Sequence, residues 1–387
     1  MAAREVNAMT TDETTAGAAE LEALRETARR FIAREIAPHY ADWERAGAAP
    51  RDLWRRMGAA GLLCPSIPEA YGGPGAGIDH ALVVIEEFAR AFIALPGFYT
   101  HSEIIAPYIL HYGTEAQKAH WLPRCVSGDT VLSVAMTEPG AGSDLKGTRT
   151  VARRDGDDVR ISGQKIFITN GLHADLVVVL ATLEGDDPGR KTLFLVETDR
   201  PGFARGRLLD KVGQKAQDTV ELFFDDVRVP MTNRLGEEGQ GLRHLMAQLP
   251  RERLMVGMAA VAGAEAAFAE TLAYANGRSA FGQPIAQFQH LRFRLAELKT
   301  EIAVGRAFLE RSIARFQAGA LAADEAAMCK YWLTELEGRV VDQCVQMHGG
   351  YGYMREYKVA RAFADARGQR IYAGTNEIMK EIIARHL

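Results

Sequence analysis

Apolar residues recur at three- and four-residue steps early in the chain, at Leu21, Leu24, Ala28, Ile32 and Ile36, then along Ala81–Ala91 and Ile104–Leu110. That is the repeat of helices burying one face, and it predicts a helical region from Leu21 to about Thr130, interrupted by the Gly/Pro cluster Pro68–Gly77. The pattern then changes. Thr150–Arg154 and Val159–Ile161 are short extended stretches flanking Asp155-Gly156-Asp157-Asp158, a sequence suited to a hairpin turn. Leu176–Leu180 and Leu193–Val196 are compact apolar runs of the buried-strand kind, and Val220–Val229 is rich in β-branched and aromatic residues up to Pro230. After Gly241 helical spacing returns in longer pieces: Leu254–Tyr274, Phe288–Phe316 and Ala323–Met347. Long helices in succession favour a bundle. The prediction is a mainly α protein with a central β-domain, divided into a loose tail (1–20), an N-terminal helical domain (21–130), a middle β-domain (131–236) and a C-terminal helical bundle (237–387).

Composition refines this only a little. A length of 387 residues calls for two or three packed units, and 47% hydrophobic with 25% charged residues is ordinary for globular chains. A formal charge of −4 provides no general attraction to nucleic acid or anionic lipid, although local basic spots could bind a phosphorylated cofactor. Met1–Glu20 is small, polar and Ala/Thr-rich, unlike a signal peptide. The longest apolar run, Leu254–Ala264, is too short to span a bilayer, so the expectation is no integral membrane segment and a cytoplasmic protein. Cys64, Cys125, Cys329 and Cys344 form no CxxC pair and read as reduced, packed thiols. The histidines show no metal-ligand spacing and there is no GxSxG elbow, so no metal site and no hydrolase is signalled.

Several segments could carry chemistry, each with a plainer alternative. Met136–Asp144 (MTEPGAGSD) offers two close glycines for backbone approach and the hydroxyls of Thr137 and Ser143, or is simply a polar turn. Phe167-Ile168-Thr169-Asn170-Gly171 ends a strand and could line a planar ring. Arg278-Ser279-Ala280-Phe281-Gly282 pairs an arginine with an aromatic, as a phosphate-bearing heterocycle would require, or it merely closes a helix. Gln346–Tyr353 is glycine-rich without the Rossmann spacing. Thr375 or Asn376 could cap a last helix. Glu252, between Arg251 and Arg253 at the head of an apolar helix, reads by itself as a solvated surface cluster.

In order, MTEPGAGSD, FITNG, KVGQKAQDTVELFFDDVRVP, RSAFGQPIAQFQ, QMHGGYGYM and IYAGTNEIM make the chain resemble the acyl-CoA dehydrogenase family from Leu21 to Leu387. LPRERL, KAQDTVELFF and IYAGTNEIMKEIIARHL place it nearest the long-chain branch. The resemblance implies an N-terminal helical domain, a β-barrel-like middle domain, a C-terminal four-helix bundle, a homotetramer built as a dimer of dimers, and FAD as cofactor. Along the flavin it would set Val134, Met136, Thr137, Gly142 and Ser143, with Phe167, Ile168 and Thr169 over the ring's far face. Arg278, Phe281 and Gln289 would hold the diphosphate and adenine, and Gln346, Gly349 and Gly350 the same region from a partner chain. Thr375, Asn376 and Glu377 would close over the cofactor, and Ser143, Arg253, Ala373 and Gly374 would meet the substrate.

One departure from the family is informative. Many members carry the catalytic glutamate where this chain has Tyr372-Ala373-Gly374, and alanine cannot take a proton. The long-chain and isovaleryl branches place the base early in the long helix, at the position of Glu252, so the resemblance makes Glu252 the α-proton acceptor. The implied reaction is dehydrogenation of medium- to long-chain acyl-CoA to trans-2-enoyl-CoA, with hydride passing to flavin N5 and electrons then to electron-transfer flavoprotein. A flavin oxidase or monooxygenase of the same superfamily, and a non-catalytic acyl-CoA- or FAD-binding assembly protein, are the alternatives.

Overall fold

The computed structural model describes residues 2–387, with side chains from Gly17 onward. The N-terminal part comprises α1 (Ala2–Phe31), α2 (Tyr40–Ala46), α3 (Asp52–Ala59), α4 (Ile78–Arg90), α5 (Gly97–Tyr99), α6 (Ala106–Tyr112) and α7 (Glu115–Ser127). Gly17–Glu20, assigned to the tail from sequence, continue α1; the side chains of residues 1–16 lie outside the described ones. Local chemistry sets some of these ends. Thr114 accepts from the Gln117 N–H while Gln117 reaches back to the Thr114 N–H, a reciprocal cap that starts α7. Between α5 and α6 the chain winds as a π-helix over Thr100–Ile105, the kind of insertion that re-aims whatever follows it.

The middle part contains β1 (Leu132–Ala135), β2 (Val151–Asp155), β3 (Asp158–Thr169), β4 (Leu176–Leu183), β5 (Thr192–Glu197), β6 (Phe203–Leu208), β7 (Thr219–Pro230) and β8 (Arg234–Leu235). The hairpin expected at Asp155–Asp158 forms, with those two residues facing each other. The strands run in the order β6-β7-β3-β2-β4-β5-β8, and β1 adds in parallel to β4. Alternation along β4 and β5 explains how this sheet sits in the molecule. Leu176, Val178, Leu180, Leu193 and Leu195 point into the core shared with the helices, while Val177, Val179, Ala181, Phe194 and Val196 point into a separate core. Both faces of the central strands are therefore apolar, which is why they read as continuous hydrophobic runs.

The C-terminal part comprises α8 (Gly241–Gly277), the short hairpin β9 (Ser279–Ala280) and β10 (Gln283–Pro284), α9 (Gln289–Gln317), α10 (Ala323–His348), α11 (Lys358–Gln369) and α12 (Asn376–Ala384). α8 packs against α4, α9, α10 and α11. It is long and apolar enough to cross a membrane by length and composition, but 61% of its most apolar window is buried inside the fold. Here sequence and structure differ: Pro250 does not end the helix, and Glu252 lies well inside it instead of at its head. A mid-helix proline frees the carbonyl four residues back. That residue is Met246, which lies on an exposed face of the helix. All four cysteines are buried and unpaired.

Candidate active site

Burial overturns the surface reading of Glu252, which is 4% exposed, with Arg253 at 3%. The flanking arginines do not solvate it. Arg251 turns to Glu103 in the π-helical stretch, and Arg253 donates to the Ala323 carbonyl at 3.3 Å. The partner of Glu252 is Tyr108 on α6, whose hydroxyl donates to Oε1 at 2.5 Å. Burial pushes the Glu252 carboxyl up to about 7, against the opposing pull of the Tyr108 hydrogen bond and the Arg253 charge. A carboxyl poised there can accept a proton near neutral pH, as a general base must.

The turn carrying Ala373 is shaped differently. Ala373 has φ +53° and Gly374 φ +85°, and a side chain at φ > 0 costs about 1 kcal/mol or more, so neighbours must hold the turn in place. Lys330 on α10 does so: its buried ammonium donates to the Gly374 carbonyl at 2.7 Å and to Asn376 Oδ1 at 2.9 Å. Burial drives Lys330 down to about 8, and the charge of Arg253 lowers it further. Lys330 ties the turn to α10, which packs along α8. Behind the turn, Tyr372 accepts from Gln214 at 3.2 Å. Among the described residues, no acceptor in the chain takes the N–H of Ala373.

At the edge of the sheet, the MTEPGAGSD and FITNG segments come together. The Ile166 N–H donates to the Thr137 carbonyl at 3.0 Å, and Ser133 Oγ donates to the Thr169 carbonyl at 2.6 Å. Phe167 is 64% exposed with φ +61°, presenting its ring on the open side. Ile168 departs from its expected role: its side chain is buried in the sheet core, so only its backbone can line a ligand. Glu138 shapes the glycine turn, accepting from the Arg149 and Thr150 N–H groups and from Lys165 at 2.9 Å. Gly140 and Gly142 face open space, as does Ser143.

A third group surrounds a cavity of about 560 Å³ lined by Arg278, Gln346, Gly349, Gly350, Tyr351 and neighbouring residues. The Arg278 guanidinium lies 5.9 Å from the Tyr351 ring centre. Arg278 and Gln346–Gly350 line one wall together, because α8 and α10 lie side by side. Phe281, 96% exposed, projects outward, and Gln289, also exposed, is outside the lining. None of the sheet-edge residues lines this cavity. Asn376 is likewise not free to meet a ligand, being buried and bonded to Lys330, Thr334 and Glu335. Thr375 caps α12 through the Ile378 N–H at 3.3 Å, and Glu377 is exposed on its first turn. Another cavity, about 890 Å³ between α2 and residues 208–215, contains none of these residues.

Sequence reasoning missed Tyr108 and Lys330. Lys330 had a readable signal, a charge on the buried stripe Ala326, Cys329, Leu333 and Leu336 of α10, which Glu337 shares. Tyr108 had none.

The comparisons with known proteins agree along the chain. Three family models match: acyl-CoA dehydrogenase N-terminal domain (18–129), middle domain (133–227) and C-terminal domain (239–387). The long-chain specific acyl-CoA dehydrogenase, mitochondrial, of Sus scrofa is 48% identical over 95% of this chain and 86% of its own length. A crystal structure of acyl-CoA dehydrogenase from Geobacillus kaustophilus superposes with TM-score 0.93 at 49% identity, covering 95% of this chain and 97% of that one. An acyl-CoA dehydrogenase from Bacillus anthracis complexed with FAD gives TM-score 0.89 at 31% identity, covering 95% of this chain and 66% of that one.

Proposed function

Since the chain belongs to the acyl-CoA dehydrogenase family, we propose that this oxidoreductase converts medium- to long-chain fatty acyl-CoA thioesters to trans-2-enoyl-CoA, with Glu252 as the α-proton acceptor. The observation that carries the reading is a buried, Tyr108-bonded carboxyl with its pKa raised to about 7, in a chain whose alternative base position is Ala373.

FAD is the cofactor, and the residues present fit it. Thr137, Ser143, Thr169 and the exposed Phe167 ring are available to its flavin end. Arg278, Gln346 and the open Gly349-Gly350 backbone offer a cationic, close-approach surface to the diphosphate and adenine. When bound, FAD supplies the acceptor for the hydride that leaves the substrate's β-carbon. The remaining chemistry belongs to the protein. An α-hydrogen beside a thioester is far too weak an acid for an aqueous carboxylate. The Ala373 N–H, held in place by Lys330, can donate to the thioester oxygen as charge develops there, a contribution on the order of 3 kcal/mol. Glu252 then takes the proton from a site from which water is largely excluded.

Electron-transfer flavoprotein as electron acceptor follows from the family reading. A homotetramer is supported by exposed apolar side chains on the C-terminal part, Phe281, Phe293 and Tyr353 among them. The deciding experiment is anaerobic titration of the FAD-loaded protein with acyl-CoAs of increasing chain length, following flavin absorbance. Wild type should bleach with medium- and long-chain substrates, and Glu252→Gln should keep FAD but lose at least about 10²-fold in reduction rate. Near-normal reduction by the variant removes Glu252 from the role.

A further inference from the structure

We infer that Tyr108 is a positioning residue for proton abstraction: its hydroxyl holds Oε1 of Glu252 so that Oε2 is the oxygen presented to the substrate's α-hydrogen. The inference rests on the reading of Glu252 as the base. It starts from burial. Tyr108 is 1% exposed, and a phenol hydroxyl placed so deeply requires a partner. The partner it has is Oε1 of Glu252, 144 residues further along the chain. The other carboxylate oxygen differs. No donor among the described residues reaches Oε2. One oxygen is fixed and the other is left open.

The backbone explains how Tyr108 comes to face α8. It lies in α6, immediately after the π-helical stretch Thr100–Ile105, and each π turn rotates the following residues relative to a regular helix. The same stretch carries Glu103, which draws Arg251 away from its neighbour Glu252. The ionisable groups left around the carboxyl are Arg253 on α8, Tyr108 and Tyr112 on α6, and Lys330 on α10 beyond Arg253.

The chemistry assigned to Tyr108 balances simply. The α-proton passes to Oε2, the C–H electron pair stays with the substrate, and Tyr108 keeps its own proton. Tyr108 acts on the resting base: a hydrogen bond to the ionised carboxylate favours that form and offsets part of the cost of burial. It also removes rotational freedom that would otherwise misdirect the proton-accepting oxygen.

The test is Tyr108→Phe in the FAD-loaded enzyme, with flavin reduction by sub-saturating lauroyl-CoA followed anaerobically across pH, so that the limb reports the free enzyme. The ascending limb should move to higher pH by about one unit, lowering the rate about tenfold on its acid side and far less on the plateau. The infrared carboxyl band of Glu252, identified by difference against Glu252→Gln, should shift its titration in the same direction without any turnover. A limb and band that titrate as in wild type overturn the inference. If Glu252→Gln itself still reduces flavin at near-normal rate, the base assignment fails. If that variant is inactive while Tyr108→Phe titrates normally, only the role of Tyr108 fails. Should Tyr108→Phe not retain FAD, 3-fluorotyrosine installed at position 108 keeps the hydroxyl with a more acidic proton. Limb and band should then move to lower pH, and an unchanged titration contradicts the assignment.

Discussion

Glu252 and the turn around Ala373 are two places where a proton acceptor could stand in this fold, and they are held by opposite means. Glu252 sits inside a 37-residue helix whose backbone hydrogen bonds and apolar neighbours fix it without strain. What that rigidity costs is dehydration, visible as a carboxyl raised to about 7. Ala373 sits in a turn with φ +53°, strained, closed by the Asn376 N–H on the Arg370 carbonyl and braced by the buried Lys330. The helix suits a side chain that must point one way in a dry environment. The turn suits a backbone N–H left without an internal partner. On the proposed assignment of Glu252 as base, the turn would serve as a hydrogen-bond donor with only a methyl side chain at position 373.

Breaking the turn should have the largest effect on stability. Lys330→Met leaves the Gly374 carbonyl without its donor and Asn376 Oδ1 with only the longer bond from Thr334, and should cost about 3 kcal/mol in urea unfolding, together with slower flavin reduction. A variant within about 0.5 kcal/mol of wild type would mean that something other than Lys330 holds the turn.

The helix side can be tested through pH. The Glu252 carboxyl is raised in the fold, so the native state binds more protons than the unfolded chain. Its favourable contribution is complete below about 4.5 and is lost as pH rises through about 7. Glu252→Gln should match wild type at the acid end of that window and be more stable above it, by roughly 2 kcal/mol after allowing for a poorer bond to Tyr108. Asp365, also raised to about 7 by burial, titrates in the same window, so the variant should keep part of the pH dependence. Equal stability of variant and wild type above pH 7 would show that Glu252 is not the dehydrated group its surroundings imply.

The smallest effect concerns the turn's backbone. Ala373→Val should lose about 1–2 kcal/mol, because a β-branched side chain resists φ > 0, whereas Ala373→Gly should be nearly neutral. Thermal unfolding of the pair would separate strain from lost contacts; equal losses in both would point to contacts.

Much of this architecture was legible in the residues because it depends on local repeat. The helical stripes, the Asp155–Asp158 hairpin, the long helices α9 and α10 and the Thr375 cap all follow from spacing and turn chemistry within a few residues. The motif order was enough to point to the family, and the alanine at 373 to direct attention to Glu252. Where reading failed, the deciding contacts were distant in sequence. Glu252 reads as the head of a helix because the apolar helical pattern is legible only from Leu254, whereas α8 runs from Gly241 through Pro250. Ile168 and Asn376 lie in functional-looking motifs, but their side chains serve the sheet core and the Lys330 cluster.

By itself, then, the sequence determined the order of helices and strands and the family, since each depends on residue type and near-neighbour spacing. Only the tertiary structure decided that Glu252 is dry, that Tyr108 holds one of its oxygens, that Lys330 braces the turn, and that Arg278 shares a wall with Gln346. Dehydration and hydrogen-bond pairing are properties of groups brought together across the fold. Tyr108 and Glu252, 144 residues apart, give no sign of each other until α6 and α8 pack.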